Sequence, residues 1–257
     1  MSKLNPVGGR AAAIKRAAST SVPPRWQLPL RYHQMRLAGD LEPEMDYLKD
    51  WVRPGSWAID VGANHGLYSY ALTKLGLQVE AFEPQPWCVR TLEAWARGRV
   101  NVHQVGLSDE DTTLTLHLPV VAGTRFTGYA SFGEVEGDTE QISVPVHRLD
   151  GFKFDDVSFV KIDVEGHELS VLRGAEQTLE RNRPTLLVEI EERHLASGSI
   201  GEVFAYVEAL GYQGQYLLDR SWHPLEAFSV ERLQLARLQG DETAPYVNNF
   251  LFRPSEG

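Results

Sequence analysis

The sequence of 257 residues predicts an α/β fold in which a mostly parallel sheet carries helices on both faces and an inserted β-hairpin. Three observations support this prediction. Short apolar runs alternate with amphipathic helical patterns from residue 57 onward, glycine follows several of the helical patterns, and two segments alternate apolar and polar residues as hairpin arms do. Crossover connections between parallel strands are right-handed, which restricts such a chain to a doubly wound arrangement.

The individual elements follow from the same patterns. Short apolar runs bounded by turn residues predict strands at 57–61, 78–82, 100–107, 159–164 and 185–190, with later strands at 212–217 and 249–252. Apolar residues at helical spacing predict helices at 40–52, 67–75, 86–97, 167–181 and 201–210. The hairpin arms are expected at 113–118 and 142–147, joined by a glycine-bearing segment at 121–140.

Composition divides the chain into a leader, a lead-in and a main domain. Residues 1–24 are rich in Ala, Ser, Pro and Gly and predict a flexible basic leader, residues 25–56 a helical lead-in, and residues 57–257 the main domain. The first 39 residues hold seven basic residues, whereas all 35 acidic residues lie after them, and the net charge is −10. An acidic body disfavours binding along nucleic-acid phosphates. We therefore expect no nucleic-acid partner.

The cysteine content and the lengths of the apolar runs indicate the cellular compartment. A single cysteine, Cys88, cannot form a disulfide within the chain, which favours a reducing compartment. No run approaches the ~18 apolar residues of a membrane helix, and no apolar run follows the basic residues near the N-terminus as in a secretory signal. The expectation is a cytoplasmic protein without a membrane span.

A glycine-bearing turn, DVGANHG, follows the first predicted strand. Gly62 and Gly66 allow the backbone to turn tightly and to approach a ligand, and the helix that begins there offers free amide groups. Glu83 ends the second predicted strand, where an acid in doubly wound folds binds ribose hydroxyls. Turn and acid together predict an adenosine-type ligand across the first two strand ends.

The spacing of the turn distinguishes between adenosine ligands. A dinucleotide site is expected to read G-x-G-x-x-G, so that pyrophosphate rests on the helix, but Asn64 and Leu67 occupy the second and third glycine positions. The Asp-x-Gly-x-Asn-x-Gly turn instead resembles the first motif of Rossmann-like S-adenosylmethionine-dependent methyltransferases. That resemblance implies S-adenosylmethionine as the cofactor, with Asp60 facing its methionine ammonium.

An acidic cluster with a histidine, in the string KIDVEGHE, follows the fourth predicted strand. Asp163 or Glu165 can hold a substrate or an ammonium group, and the imidazole of His167 can accept a proton. The same residue types bind divalent cations, so a metal site is an alternative. We expect no metal, because no further ligand is obvious. Glu189 ends the fifth strand and could reach the substrate pocket, although a solvated strand end is the favoured interpretation.

Five strings, in this order and spacing, resemble the FkbM-type methyltransferase family over about residues 38–253. They are DVGANHGLYS, AFEPQP, GLSD, VPVHRLD and KIDVEGHELSVLRGAE. The resemblance implies a Rossmann-like class I methyltransferase with a seven-stranded sheet, six strands parallel and one antiparallel. It further implies O-methylation of a hydroxyl on a sugar, a glycan or a polyketide-like natural product, which would be the partner that the enzyme binds.

The candidate site residues lie in the turn and at the ends of three predicted strands. The cofactor-binding candidates are Asp60, Gly62, Ala63, Asn64, Gly66, Glu83, Ser108 and Asp163. The catalytic candidates are His167 or Glu165 as general base, with Asp163 orienting the cofactor or the substrate. The sulfonium charge disappears during methyl transfer, so bare carboxylates near it would also stabilise the ground state. Asp163 is therefore expected to be hydrogen-bonded.

Other readings of a few features stay open. Tyr129 and Phe132 could cover a sugar ring, or they could pack the long loop against the sheet. His65 in the glycine turn is interpreted as structural. The acceptor could instead be RNA or protein, although the chain lacks an Asn/Asp-Pro-Pro-aromatic string of the kind that holds an amino-bearing base. A descendant that binds the cofactor without catalysis would be expected to show a broken turn or a broken KIDVEGHE string, and both are intact.

Overall fold

The computed structural model describes residues 22–121, 124–125, 128, 130–133, 137–195 and 198–255. The predicted leader therefore lies almost wholly outside the described residues, and so does Tyr129. None of the described helices is long and apolar enough to cross a bilayer.

Helices occupy the lead-in and the connections between strands. The α-helices of the described residues are α1 (Pro24–Ala38), α2 (Leu48–Trp51), α3 (Leu67–Lys74), α4 (Pro86–Ala96), α5 (Glu168–Gly174), α6 (Glu176–Asn182), α7 (Ile200–Ala209) and α8 (Ala236–Leu238). Shorter 3₁₀ or π turns lie at Pro43–Tyr47, Leu149–Phe152, Glu192–His194, Leu225–Ala227 and Glu231–Leu235.

Strands follow the predicted alternation with the helices. They are β1 (Trp57–Val61), β2 (Gln78–Phe82), β3 (Val100–His103), β4 (Gly106–Leu107), β5 (Thr112–Val121), β6 (Thr124–Arg125), β7 (Thr139–His147), β8 (Val157–Ile162), β9 (Thr185–Glu189), β10 (Tyr212–Leu218), β11 (Ser221–Pro224) and β12 (Asn249–Pro254). The predictions for β1 and β2 are confirmed to the residue.

The main sheet has eight strands in the order β11-β10-β12-β9-β8-β1-β2-β3. Neighbours from β9 to β3 pair in parallel, whereas β12 pairs antiparallel with β9 and β10, and β11 pairs antiparallel with β10. The prediction of an α/β fold is confirmed, but the expected count of seven strands is wrong. The eighth strand, β11, is added at the edge by a tight turn at Asp219 and Arg220, which both have positive φ.

The strand predicted at residues 100–107 is also wrong, because it divides between two sheets. β3 pairs with β2 in the main sheet, whereas β4 pairs with β7 in a second sheet of order β4-β7-β5-β6. The predicted hairpin is confirmed by the antiparallel pairing of β5 with β7, which sets Leu114 opposite Val144. The hairpin thus stands beside the carboxyl end of β3.

Two predicted helices differ in detail. The helix expected at residues 167–181 is split into α5 and α6 at Ala175, whose backbone N–H donates to the carbonyl of Leu172 at 3.1 Å. Gly174, the last residue of α5, packs closely on Ser108, and a Cβ there would lie 1.9 Å from the Ser108 carbonyl oxygen. The helix expected at residues 40–52 consists of the 3₁₀ turn Pro43–Tyr47 followed by α2.

Each face of the main sheet has its own core, which confirms that helices cover both faces. Buried residues of α5, α6 and α7 pack with Ile59 and Val61 of β1 on one face. Buried residues of α1, α3 and α4 pack with Ala58 of β1 and Phe159 of β8 on the other face. Because side chains alternate along a strand, the polar residue after Phe159 on this second face is Lys161, and it pairs in register with Asp60.

Candidate functional site

The turn after β1 requires glycine at two positions. Gly62 has φ +77°, and a Cβ there would lie 1.8 Å from the carbonyl oxygen of Asp163. Gly66 has φ +86°, and a Cβ there would lie 2.4 Å from Cδ1 of Leu92 in α4. Any larger residue would push the turn away from β8 and α4. The turn therefore lies directly on the carboxyl end of β8, as the sequence predicts for the edge of such a sheet.

Glu83 follows β2 and is tied to the same turn. Its Oε2 accepts the backbone N–H of Asn64 at 2.7 Å, and its Oε1 accepts the backbone N–H of Gln85 at 2.8 Å. Burial raises the pKa of this carboxyl to about 7 against the opposing effect of the two N–H donors. A carboxylate accepts about four hydrogen bonds, so Glu83 keeps capacity for ligand hydroxyls.

A cleft between the glycine turn and the inserted hairpin, here the hairpin cleft, encloses about 570 Å³ of space open to solvent. The cleft is lined by Val61, Gly62, Asn64, Phe82, Glu83, Pro84, Gln85, Gly106, Leu107, Leu116, Gly128, Ala130, Phe132, Asp163, Val164 and Glu165. Its polar groups come from the turn and the strand ends, whereas the hairpin and β4 supply apolar walls.

A second cleft, here the lead-in cleft, lies between the glycine turn and the lead-in and encloses about 740 Å³ of space open to solvent. It is lined by Arg31, Glu42, Asp60, Gly62, Ala63, Asn64, His65, Leu67, Tyr68, Gly128, Lys161 and Asp163. Four of these residues, Gly62, Asn64, Gly128 and Asp163, also line the hairpin cleft. The two clefts therefore adjoin over the ends of β1 and β8.

A buried lysine, Lys161, lies at the floor of the lead-in cleft. Its Nζ donates to Oδ1 of Asn249 at 2.9 Å, lies 3.8 Å from Oε2 of Glu189, and sits 5.2 Å from the ring centre of Tyr68. Burial acts to lower the pKa of Lys161, but the charges of Asp163, Glu42 and Glu189 outweigh it and raise that pKa. Lys161 is therefore a permanent cation among carboxylates.

The same cleft contains carboxylates from the lead-in and from β1. Oε2 of Glu42 accepts the hydroxyl of Tyr68 at 2.5 Å and the amide of Asn249 at 3.2 Å. Oδ2 of Asp60 accepts the hydroxyl of Ser69 at 2.6 Å, and burial raises the pKa of Asp60 to about 6. These bonds attach the lead-in and the first turn of α3 to the floor of the cleft.

Asp163 stands where the two clefts meet. Its backbone N–H donates to the carbonyl of Val61 at 3.0 Å, but its carboxylate accepts no hydrogen bond from the described residues. The expectation of a hydrogen-bonded Asp163 is therefore wrong for the described part of the chain. The pKa of Asp163 is raised to about 7, because burial and the charge of Glu165, which raise it, outweigh the charge of Lys161, which lowers it.

Three carboxylates, of Asp163, Glu165 and Glu189, each offer an oxygen within 4.8 Å of the others, an arrangement that could hold a cation. The chain supplies its own partners to this cluster. Oε2 of Glu165 lies 2.5 Å from Nδ1 of His194, and Oε1 of Glu189 accepts the amide of Asn248 at 2.7 Å. Glu189 is thus a bonded, half-buried group, which corrects the expectation of a solvated strand end.

His167 lies apart from the cleft junction. Its Nε2 is 2.9 Å from Oγ of Ser108, and its ring meets the edge of Phe132 at 5.0 Å between centroids. Neither His167 nor Ser108 is among the residues that line the two clefts. Burial lowers the pKa of His167. Its neutral imidazole packs behind the hairpin cleft.

The structure brings together most of the predicted cofactor-binding residues. Gly62, Asn64, Glu83 and Asp163 line the hairpin cleft, Asp60 and Ala63 line the lead-in cleft, and Gly66 packs behind the turn. Sequence reasoning did not single out Arg31, Glu42, Tyr68, Lys161 and Asn249. One signal was available for Lys161, because a charged residue inside the apolar string FVKIDV is rarely buried without a partner.

The structure has a glycine turn after the first strand of a doubly wound sheet, bonded to a buried acid after the second strand, and this arrangement defines a Rossmann-like α/β protein. The model of the methyltransferase FkbM domain matches residues 60–213. The chain therefore belongs to the FkbM methyltransferase domain family, as the resemblance predicted. The lead-in lies outside the matched residues.

Similar proteins are also methyltransferases by name. "Methyltransferase 1" of Beauveria bassiana is 30% identical over 145 residues, which are 46% of this chain and 58% of that protein. A crystal structure of Methyltransferase FkbM from Methylobacillus flagellatus is 18% identical with a TM-score of 0.49, over 94% of this chain and 60% of that one. A TehB-like SAM-dependent methyltransferase from Corynebacterium glutamicum is 13% identical with a TM-score of 0.45, over 94% of this chain and 100% of that one. The chain thus spans less than two thirds of the first two proteins.

Proposed function

We propose that this protein transfers the methyl group of S-adenosylmethionine to a hydroxyl oxygen of a sugar, a glycan or a polyketide-like small molecule. The observation that carries the proposal is the hairpin cleft, since Glu83 and Asp163 both line it and one ligand can reach both strand ends. The lining fits an adenosine donor, because the buried carboxylate of Glu83 shares the hairpin cleft with apolar side chains.

Each part of the cofactor has a complementary group in the clefts. The carboxylate of Glu83 can accept ribose hydroxyls, and apolar side chains of Leu107, Leu116 and Phe132 offer flat walls for adenine. Asp60 in the lead-in cleft carries the charge that an ammonium group needs. When bound, S-adenosylmethionine supplies an electrophilic methyl group on a sulfonium.

Asp163 is the best-placed proton acceptor for the hydroxyl. Among the catalytic candidates, Asp163 alone lines both clefts. None of the described residues donates a hydrogen bond to its carboxylate, so its lone pairs can accept a proton. A base with a pKa near 7 is suited to proton transfer at neutral pH, and such a group contributes ~10²–10⁴-fold to the rate. The nearby charge of Lys161 lowers the pKa of Asp163 and so favours the ionised carboxylate, which is the form that can accept the hydroxyl proton.

The other two catalytic candidates receive positioning roles in this proposal. Glu165 lines the hairpin cleft, but one of its carboxylate oxygens already bonds His194. The backbone carbonyl of Glu165 accepts the hydroxyl of Ser131 at 2.7 Å. Glu165 therefore holds the hairpin against the strand end. His167 packs against Phe132, which lines the hairpin cleft, and bonds Ser108 behind that wall.

Calorimetric titration tests the cofactor, and a screen tests the acceptor. We expect binding of S-adenosylmethionine and S-adenosylhomocysteine and none of NAD, and a preference for NAD would overturn the proposal. Incubation with methyl-labelled S-adenosylmethionine and panels of glycans, natural-product alcohols, RNA and protein should label a hydroxyl compound. Label on RNA or protein alone would show another acceptor, and cofactor binding without any label would show a descendant that no longer catalyses.

A further inference from the structure

Arg31 is an unpaired cation at the rim of the lead-in cleft. It lies on α1, is exposed, and forms no hydrogen bond or ion pair with the described residues. Its place on the helix is fixed by its buried neighbours Leu28 and Tyr32. The ring of Tyr32 lies 4.9 Å from that of Tyr70 in α3, and Cδ2 of Leu28 lies 3.2 Å from the position of a Cβ on Gly66.

A second group without a partner lines the same cleft. Nδ1 of His65 is buried and lacks a hydrogen-bond partner among the described residues. Burial and the charge of Arg31 lower the pKa of His65 to about 4, so its ring is neutral at pH 7. A buried polar atom without a partner is costly and rare in native proteins. Its place beside an unpaired guanidinium indicates that this end of the cleft is completed by a ligand.

The charges of the lead-in cleft favour a zwitterionic ligand. Glu42, Asp60 and Asp163 offer carboxylates to a cation. The cleft's other basic side chain, Lys161, is already engaged by Asn249 and Glu189. Among the described residues that line the cleft, Arg31 is therefore the cation left to pair with a ligand's carboxylate, and a guanidinium can do so with two parallel hydrogen bonds.

We propose that Arg31 binds the α-carboxylate of the methionine moiety of S-adenosylmethionine in the lead-in cleft, which adjoins the hairpin cleft that Glu83 lines. This inference rests on the proposed function. It gives the lead-in, which lies outside the residues matched by the family model, a direct part in selecting the methyl donor. Arg31 acts on affinity and selectivity for the amino-acid part of the donor, whereas Glu83 acts on its ribose.

Comparison of S-adenosylmethionine with decarboxylated S-adenosylmethionine tests the inference, because the two differ only in the carboxylate. Binding is measured by calorimetry on the full chain and on the variants Arg31→Met, Arg31→Lys and Arg36→Met. Arg36 is the matched control, since it lies on the same exposed helix and does not line the cleft. Thermal melts of every variant check that the chain is folded.

The wild-type protein and R36M should bind S-adenosylmethionine about 10- to 100-fold more tightly than its decarboxylated analogue, as expected for a charged hydrogen-bonded pair. R31M should bind both ligands with the affinity of the analogue, and R31K should fall between. The inference is overturned if R31M keeps the wild-type preference or weakens both ligands equally. It is also overturned if R31M raises only the KM of the acceptor, which would assign Arg31 to the acceptor. Absence of binding to the wild-type chain would instead remove the proposed function itself.

Discussion

The carboxylate of Glu83 and the backbone N–H of Asn64 lie 2.7 Å apart and join the end of β2 to the glycine turn after β1. The second carboxylate oxygen is held by the N–H of Gln85. Both binding elements are therefore fixed relative to one another before a ligand arrives. Such preorganisation favours affinity, because little conformational freedom remains to be lost on binding.

Replacing Glu83 with Gln should lower the affinity for S-adenosylhomocysteine at least ~10-fold, since an amide cannot accept from two N–H groups and two ribose hydroxyls. Calorimetry measures the change. Glu80→Gln is the matched control, because Glu80 is equally buried on β2 but bonds Asn101 and His103, away from both clefts. Equal affinities for the two variants would contradict the role of Glu83.

Replacing Gly62 with Ala should destabilise the fold by about 3 kcal/mol or more and abolish donor binding, because the new Cβ would clash with the carbonyl oxygen of Asp163. Gly55→Ala is the control. Gly55 also has positive φ, but nothing lies within 4 Å of a Cβ there, so only ~1 kcal/mol of backbone strain is expected. Urea unfolding measures both variants, and similar losses would show that the close approach to β8 is unimportant.

Replacing Asp163 with Asn should lower kcat ~10²–10⁴-fold while changing donor affinity much less. As the proposed general base, Asp163 would act in its ionised form. The rate should therefore rise with pH through the pKa of about 7 and level off above it. Asp111→Asn, at an exposed site outside both clefts, should keep the wild-type profile. A wild-type kcat for D163N, or a rate that falls as pH rises through 7, would exclude Asp163 as the base.

Buried Glu44 should make the protein less stable as pH rises. Burial raises its pKa to about 7, and its Oε2 has no partner among the described residues. The folded state then keeps a proton that the unfolded state loses near the ordinary carboxyl pKa. The free energy of unfolding is therefore highest below that pKa and declines as pH rises toward 7. Between pH 5 and pH 8, Glu44→Gln should gain about 1–3 kcal/mol relative to wild type, as measured by urea unfolding.

The exposed Glu93 supplies the control for this measurement. Glu93→Gln should follow the wild-type curve at every pH. If the difference between E44Q and wild type stays constant over the range, Glu44 is ionised in the folded state throughout and the assignment is wrong.

A chelator should leave methyl transfer unchanged, because Lys161, His194 and Asn248 already partner the acidic cluster. The measurement is turnover after dialysis against EDTA, with and without added Mg²⁺. Loss of activity that Mg²⁺ restores would show that Asp163, Glu165 and Glu189 hold a cation, and would move the proton-acceptor role away from Asp163.

Local patterns were sufficient to predict the glycine turn, Glu83 and most strands. They failed for β11 because the turn Asp219–Arg220 has two positive φ values without the Asn-Gly or Asp-Gly pair that usually marks such a hairpin. They also failed at residues 100–107, since an apolar run does not say which sheet its two ends join.

The lead-in cleft could not be predicted from spacing. Glu42 reaches Asn249 across 207 residues of sequence, and Arg31 comes from a helix outside any motif. Only the packing of α1 and the 3₁₀ turn Pro43–Tyr47 on the sheet brings them to the ends of β1 and β8. The surroundings of His167 could not be predicted from spacing either. His167 precedes α5, and its partner Ser108 follows β4, 59 residues earlier in the chain.

A crystal structure with S-adenosylhomocysteine would show whether one ligand reaches the ends of both β1 and β2. We expect density for the whole ligand across the two adjoining clefts, with ribose hydroxyls on Glu83, adenine against Phe132 and the amino-acid end toward Asp60. Density for the ligand at any other place on the chain, or a ribose that does not contact Glu83, would contradict this expectation.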